Sequence, residues 1–368
     1  KASDDGPSVA TPEGMQAKIE EIGFGPYQLL SLLCCGGVLF SEGSEVLVMG
    51  SITRLLSDQW GLSAFVRGFM TAVVFVGFAI GNLLSGFFGD RFGRRLSILL
   101  SYVVIGAAGI ATSATTNAAT MVLVRIFVGI GCGIGFPSVY SMTPEVCPTR
   151  YRGVTSALMI GFMPLGEFFA AVGVVMIDPN LSGGPGDGWM GNTTWQSLVQ
   201  YSALPSVFFF LISLFFLGES PHYLLTQRRI DELNKTLADM AWMNGKLGLP
   251  TAFLAGAPPT GGALHTTYSW TEALKSSLDE RYFGTTLVLF AAHFTKDFGV
   301  FGLNYVFPQY FQDSTAGTSV GVEMMLISLL AIPGVLLAVA LTRSENIDNR
   351  TTISLTSAAC SVASVGLL

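Results

Sequence analysis

Nine apolar blocks, near 29–52, 68–89, 96–113, 118–140, 153–177, 196–217, 283–308, 322–342 and 351–368, constrain this chain more than any other feature. Crossing the hydrocarbon of a bilayer takes about 20 apolar residues at roughly 1.5 Å each. Several of the blocks reach that length, and they are continuous runs, not periodic stripes. Only 12% of the residues are charged, about half the share of a soluble domain. The mean hydropathy of +0.56 agrees. The solvent is therefore the lipid bilayer, and the expected architecture is an all-α polytopic membrane protein.

The connectors between blocks are short, with one exception. Residues 218–282 form a long polar stretch with Pro258-Pro259 and Gly261-Gly262. This layout predicts a polar N-terminal segment (1–28), a six-helix half (29–217), a linker carrying amphipathic helices (218–282) and part of a second half (283–368). With the N-terminus on the cytoplasmic side, fifteen of the nineteen Lys and Arg fall in inside connectors and only Arg54 and Arg67 in outside ones. Positive charge collects on the cytoplasmic side, so an inside N-terminus is expected.

The net charge of −6 and the lack of a basic stripe with interleaved aromatics argue against a nucleic-acid partner. Five cysteines in no metal-ligand spacing read as small core residues rather than a disulfide framework. No nucleotide-binding loop, metal cluster or nucleophile arrangement stands in a plausible context. The sequence thus gives no reason to expect an enzyme, a pump or a cofactor.

The connector after the second block reads Gly86-Phe87-Phe88-Gly89-Asp90-Arg91-Phe92-Gly93-Arg94-Arg95. Asp90 is an acid at a helix end, where it can face an arginine or the positive N-terminus of a partner helix. The run closely resembles the signature loop of the major facilitator superfamily, Gly-x-x-x-Asp-Arg-x-Gly-Arg-Arg, at every defined position. Other stretches agree. Arg125 to Gly131 resembles the family's fourth-helix arginine motif, Glu145 with Arg150, Arg152 and Gly153 the loop after it, and Gly218 to Leu224 the motif after the sixth helix. Gly218 and His222 depart from that last pattern. The run Ile22 to Gln28 and the acidic first helix look like the synaptic-vesicle-protein-related, organic-ion-transporter-like branch.

The resemblance implies two six-helix halves that move about a central cavity. It implies a conformational latch built from Gly86, Asp90, Arg91, Gly93, Arg94, Arg95, Glu145, Arg152 and Glu219. It also implies that this copy is truncated after about nine helices, since the last block stops at Leu368 without a polar flank. A competing reading of the basic loop is a positive-inside anchor and nothing more.

Ionisable residues inside apolar blocks carry the functional signal, because burying one costs about 3 kcal/mol at a helix centre on translocon scales. Glu42 and Glu45 stand three apart, on one face of the first helix. Burial favours the neutral acid, so either can carry a proton at physiological pH. Arg125 keeps its charge and needs a carboxylate, from Glu42, Glu45 or an anionic solute. The competing readings are a permanent ion pair that only ties helices together, or glutamates solvated at the outer mouth. Glu167 either lines the cavity or snorkels. His293, Lys296 and Asp297 form either part of a second-half solute site or a self-compensated polar patch.

Asn180 and Asn192 begin acceptor triplets in an outside loop and are glycosylation candidates. The expected activity is secondary transport of a small organic solute, an organic anion in one version, with either proton coupling or facilitated diffusion. The expected partners are the lipid bilayer, the solute and protons. A receptor, trafficking factor or accessory subunit in a larger membrane complex is the alternative from another class.

Overall fold

The computed structural model describes residues 8–9, 11–183, 192–246, 254–255 and 319–343, with scattered positions between 275 and 302. An amphipathic helix, α1 (Pro12–Ile22), precedes α2 (Pro26–Trp60), α3 (Ala64–Phe92), α4 (Arg94–Thr112) and α5 (Ala118–Glu145). Then come α6 (Arg152–Ile160), α7 (Phe162–Ile177), α8 (Thr194–Phe216), α9 (Pro221–Thr226), α10 (Ile230–Met243) and α11 (Val320–Arg343). Apart from a two-residue parallel pairing of Ser8–Val9 with Leu254–Ala255, the described elements are helical.

Seven helices among the described residues are long and apolar enough to cross a membrane, with Thr149–Ile177 (α6 and α7) counted as one. They account for seven of the nine expected blocks. The block at 283–308 shows a short apolar helix, Phe283–Ala292. The block at 351–368 lies outside the described residues. Arg54 and Arg67, expected in connectors, lie within α2 and α3, because the link between those helices is only residues 61–63.

Helix ends follow local chemistry. Asn117 accepts the N–H of Thr120 at the start of α5 (3.0 Å), and Gln28 and Gln196 turn back to the backbone N–H of Gly25 and Thr193 (3.0 Å each) at the starts of α2 and α8. The bundle then packs backbone to backbone. A Cβ on Gly129 of α5 would overlap the carbonyl oxygen of Val74 on α3, and one on Gly77 would overlap that of Ile126. Lipid supplies no hydrophobic drive between helices, so such close approach and its dispersion contacts supply it instead. Large apolar side chains such as Phe208, Phe215 and Phe216 stay exposed on the rim of α8, where lipid would cover them.

Buried apolar residues form two clusters at opposite ends of the bundle. One, at the basic end, includes Leu39, Val128, Met159 and Phe209 and extends into α1 and α10. The other includes Leu47, Met121, Ala170, Val199 and the start of α11, through Val320 and Met324. Under the basic end, α1 buries Met15, Ile19 and Ile22 while α10 buries Leu233, Leu237 and Met240.

Candidate functional site

The gap between the two clusters is where the buried charge sits. On α2 the first cluster ends at Leu39 and the second begins at Leu47, with Glu42 and Glu45 between. On α5 Arg125 falls between Met121 and Val128, and on α8 Ser202 falls between Val199 and Phe209. Along α6 and α7, Glu167 lies between Met159 and Ala170. Four helices therefore bring a polar side chain to one level of the bundle.

Arg125 Nη1 donates to Glu45 Oε2 at 2.8 Å, with side-chain exposures of 1% and 3%. The second oxygen of Glu45 accepts from Ser202 Oγ at 2.8 Å. Beneath it stands Gly109 of α4, where a Cβ would come within 3.0 Å of that oxygen. Sequence reasoning did not single out Ser202 or Gly109. A lone Ser or Gly in an apolar helix signals close packing, and only the fold shows that both face one carboxylate.

Glu42, Glu45 and Arg125 line a cavity of about 40 Å³ together with Thr71 of α3 and Cys132 of α5. That is room for roughly two or three waters, not for an organic solute. Arg125 is buried, yet its Nε and Nη2 have no hydrogen-bond partner. A guanidinium with two idle donors beside a water-sized space is the kind of group a water or a carboxylate oxygen satisfies. Glu167 is buried on α7, whose backbone meets α2 at Gly43.

At the basic end the signature loop is tied to the segment after α8. Glu219 Oε1 accepts the backbone N–H groups of Arg94 (2.9 Å), Arg95 (3.2 Å) and Ser220 (2.8 Å). It caps the first turn of α4, which follows Gly93 at φ 95°. Arg95 returns across the joint to the carbonyls of Leu217 (2.7 Å) and Leu214 (2.8 Å) at the end of α8. Arg94 donates to the Gly89 carbonyl (2.8 Å) and lies 4.0 Å from Glu145, which accepts from Ser220 Oγ. Arg152 closes the end of α5 through the carbonyls of Pro144 (3.0 Å) and Cys147 (3.3 Å).

The carboxylate at the helix N-terminus is thus Glu219. Asp90 is 76% exposed and 3.5 Å from Arg94. Arg91 lies over the rings of Phe87 and Phe92, and Gly86 sits within α3. Burial pushes the Glu219 carboxyl above its usual range, opposed by the N–H groups of Ser220, Arg95 and Arg94.

His293, Lys296 and Asp297 lie outside the described residues. Asn180 is exposed just past α7, and Asn192 is half-buried, donating to Gln200 Oε1 at 3.3 Å.

The family model described as Major Facilitator Superfamily matches residues 34–368. The chain belongs to this superfamily. As a facilitator it shares 30% identity over 236 residues with organic cation/carnitine transporter 7 of Arabidopsis thaliana, 64% of this chain and 44% of that protein. It is 24% identical over 305 residues to the putative transporter SVOPL of Mus musculus, 80% of this chain and 57% of the relative. Against the 4-hydroxybenzoate transporter PcaK of Pseudomonas putida the figures are 25% over 239 residues, 64% and 50%. The chain thus spans about half the length of these curated relatives. A solved structure of the E. coli xylose transporter XylE, titled as partially occluded and inward open, superposes with a TM-score of 0.64 at 17% identity, covering 87% of this chain and 74% of XylE. That likeness establishes the facilitator fold. The chain is an integral, multi-pass membrane protein of a transporter family.

Proposed function

We propose that this protein is a proton-coupled secondary transporter of a small organic solute, working by alternating access with its N-terminus in the cytoplasm. One observation carries the reading: a carboxylate–guanidinium pair buried at mid-depth, beside a second carboxylate and a water-sized cavity. A pair that only tied helices together would need no adjoining cavity and no third charge, each costly in a membrane. Arg125 is neutralised by Glu45 and the cavity is too small for a solute, which favours a proton site over direct capture of an organic anion. The solute would then lie elsewhere in the cavity between the halves, and the cluster would bias which half-opening is favoured. The relatives named for organic cations, carnitine and 4-hydroxybenzoate support an organic solute. The clustering of basic residues at the end bearing α1, α9 and α10 supports the orientation.

The test is uptake into proteoliposomes by the full-length protein, using labelled 4-hydroxybenzoate, carnitine and xylose with and without an inward proton gradient. The expected result is accumulation of one of these solutes driven by the gradient and lost in Glu42→Gln and Glu45→Gln. Uptake that ignores the gradient would leave facilitated diffusion, and no uptake of any solute would favour the accessory-subunit reading.

A further inference from the structure

Helix α11 lies beyond the linker, in the part of the chain read as the second half, yet its start is built into the first half. The N–H of Gly321 is one of the donors that the first turn of a helix leaves without an intrahelical partner. It donates to the carbonyl of Pro179, just past α7, at 2.9 Å. One helix end is thus capped by backbone from the other half. A turn further on, Met324 is 3% exposed and its Sδ lies 3.7 Å from Ser51 Oγ on α2. Gly321 permits the approach, since a Cβ there would stand 3.0 Å from the backbone nitrogen of Val175 on α7. Toward the basic end the meeting is apolar, with Val335 packed where Gly161 separates α6 from α7.

Asp178 holds the Pro179 carbonyl in place. Its buried carboxylate accepts the N–H groups of Ser182 (2.8 Å) and Gly183 (2.9 Å) and the Ser182 hydroxyl (3.1 Å). These bonds curl residues 178–183 into a turn, with Leu181 at φ 51° and Gly183 at φ 73°. Leu181 fills the apolar cluster at this end, and Gly183 lies against Leu55 of α2, so the turn is fixed to the first half. Pro179 stands between the carboxylate and its donors, and the turn therefore sets where its carbonyl points.

We infer that this turn is a releasable cap that closes the bundle at the end away from the basic loop, and that Asp178 is its positioning residue. Opening at that end withdraws α11 from α7, breaks the bond from Gly321 to Pro179 and lifts Met324 from Ser51. Water then takes the freed N–H and carbonyl.

This closure presupposes the alternating-access reading, but it is tested with neither solute nor proton gradient. Met324→Cys is made in the full-length protein, reconstituted in liposomes and labelled from the side away from the basic loop with a membrane-impermeant maleimide, against the unsubstituted protein as background. Labelling should be slow. Adding Asp178→Ala should speed it by about fivefold, the effect typical of losing one helix cap on a two-state equilibrium. Gly321→Ala leaves the turn alone and crowds Val175, so it should speed labelling as well, and it keeps the test open should the Asp178 variant fold poorly. Leu198→Cys, wholly buried on α8 within the first half, should stay protected in every background. Fast labelling of Met324→Cys without a second substitution, or a rate that neither substitution changes, overturns the inference. So does parallel exposure of Leu198→Cys, since the turn would then hold the fold and not the closure. Uptake that ignores a proton gradient, with labelling as expected, would sink only the proton coupling. Proton-driven uptake with Met324→Cys labelled at one rate in all backgrounds would sink only this inference.

Discussion

Arg125 of α5 and Glu45 of α2 meet at 2.8 Å with both side chains almost wholly buried, between the two apolar clusters of the bundle. A buried pair is weak evidence of net stabilisation, but breaking it from one side strands a charge. Arg125→Leu or Glu45→Leu alone should lower stability by about 3–5 kcal/mol. The double substitution should cost clearly less than the sum, because no lone charge remains from the pair. Thermal unfolding of the four proteins in detergent gives the cycle. Strictly additive losses would mean that water already screens the two charges.

The α3–α5 seam makes an opposite prediction for two glycines. Gly129→Ala drives a methyl into the Val74 carbonyl, a backbone atom that cannot step aside, and should lower the melting temperature sharply. Overpacking of this kind typically costs about 1–3 kcal/mol. Gly68→Ala, on α3 with no atom within 4 Å of the added carbon, should be neutral or stabilising by about 0.5–1 kcal/mol. Equal effects at the two sites would argue that the helices do not approach this closely.

Seven of the nine blocks, legible in the sequence, are helices of crossing length, because a bilayer imposes length and composition together. Their ends were less so. The first helix runs from Pro26 to Trp60, past the expected 29–52, since its backbone bonds continue through Arg54 and Asp58 after the apolar run has ended. The pairing partners of Arg125 were also narrowed from sequence to Glu42 or Glu45, but not chosen, because both lie on one face. What chooses between them is Ser202, whose contact with Glu45 spans 157 residues of sequence. The same limit explains Glu219 and Asp90. Each carries an acid near a helix end, and only the packing of the segment after α8 onto α4 decides which one caps it.

Glu219 gives a pH prediction. Burial raises its folded value above that of the unfolded chain. Between those two values the folded state holds a proton that the unfolded state has lost, so stability falls as pH rises through that window. Glu219→Gln keeps an acceptor for the α4 N–H groups and carries no charge. Its melting temperature should therefore gain on the native protein as pH rises from the ordinary glutamate range upward. Glu219→Ala abandons the N–H groups of Arg94, Arg95 and Ser220 and should cost about 1–3 kcal/mol at every pH. Parallel curves for the native protein and the Gln variant would contradict the burial argument.

The last prediction concerns how α1 and α10 are held beneath the bundle. Asn244, just past α10, accepts the N–H of Tyr27 (3.1 Å) through its carbonyl and donates through its amide to the Gly23 carbonyl (3.1 Å) and to Gln28 Oε1 (2.9 Å). Gln28 in turn donates to the carbonyl of Val146 at 3.1 Å, so one side chain joins the entry to α2, the end of α10 and the end of α5. Asn244→Asp keeps the shape and the acceptor but loses both donations, and sets a carboxylate against two oxygens. It should loosen the junction more than Asn244→Ala, which leaves the oxygens able to bind water. The readout is limited proteolysis at residues 23–26 in detergent, with cleavage rate ordered Asp, then Ala, then native. Equal protection in all three would show that the apolar faces of Ile19, Ile22, Leu237 and Met240 hold the helices without the amide.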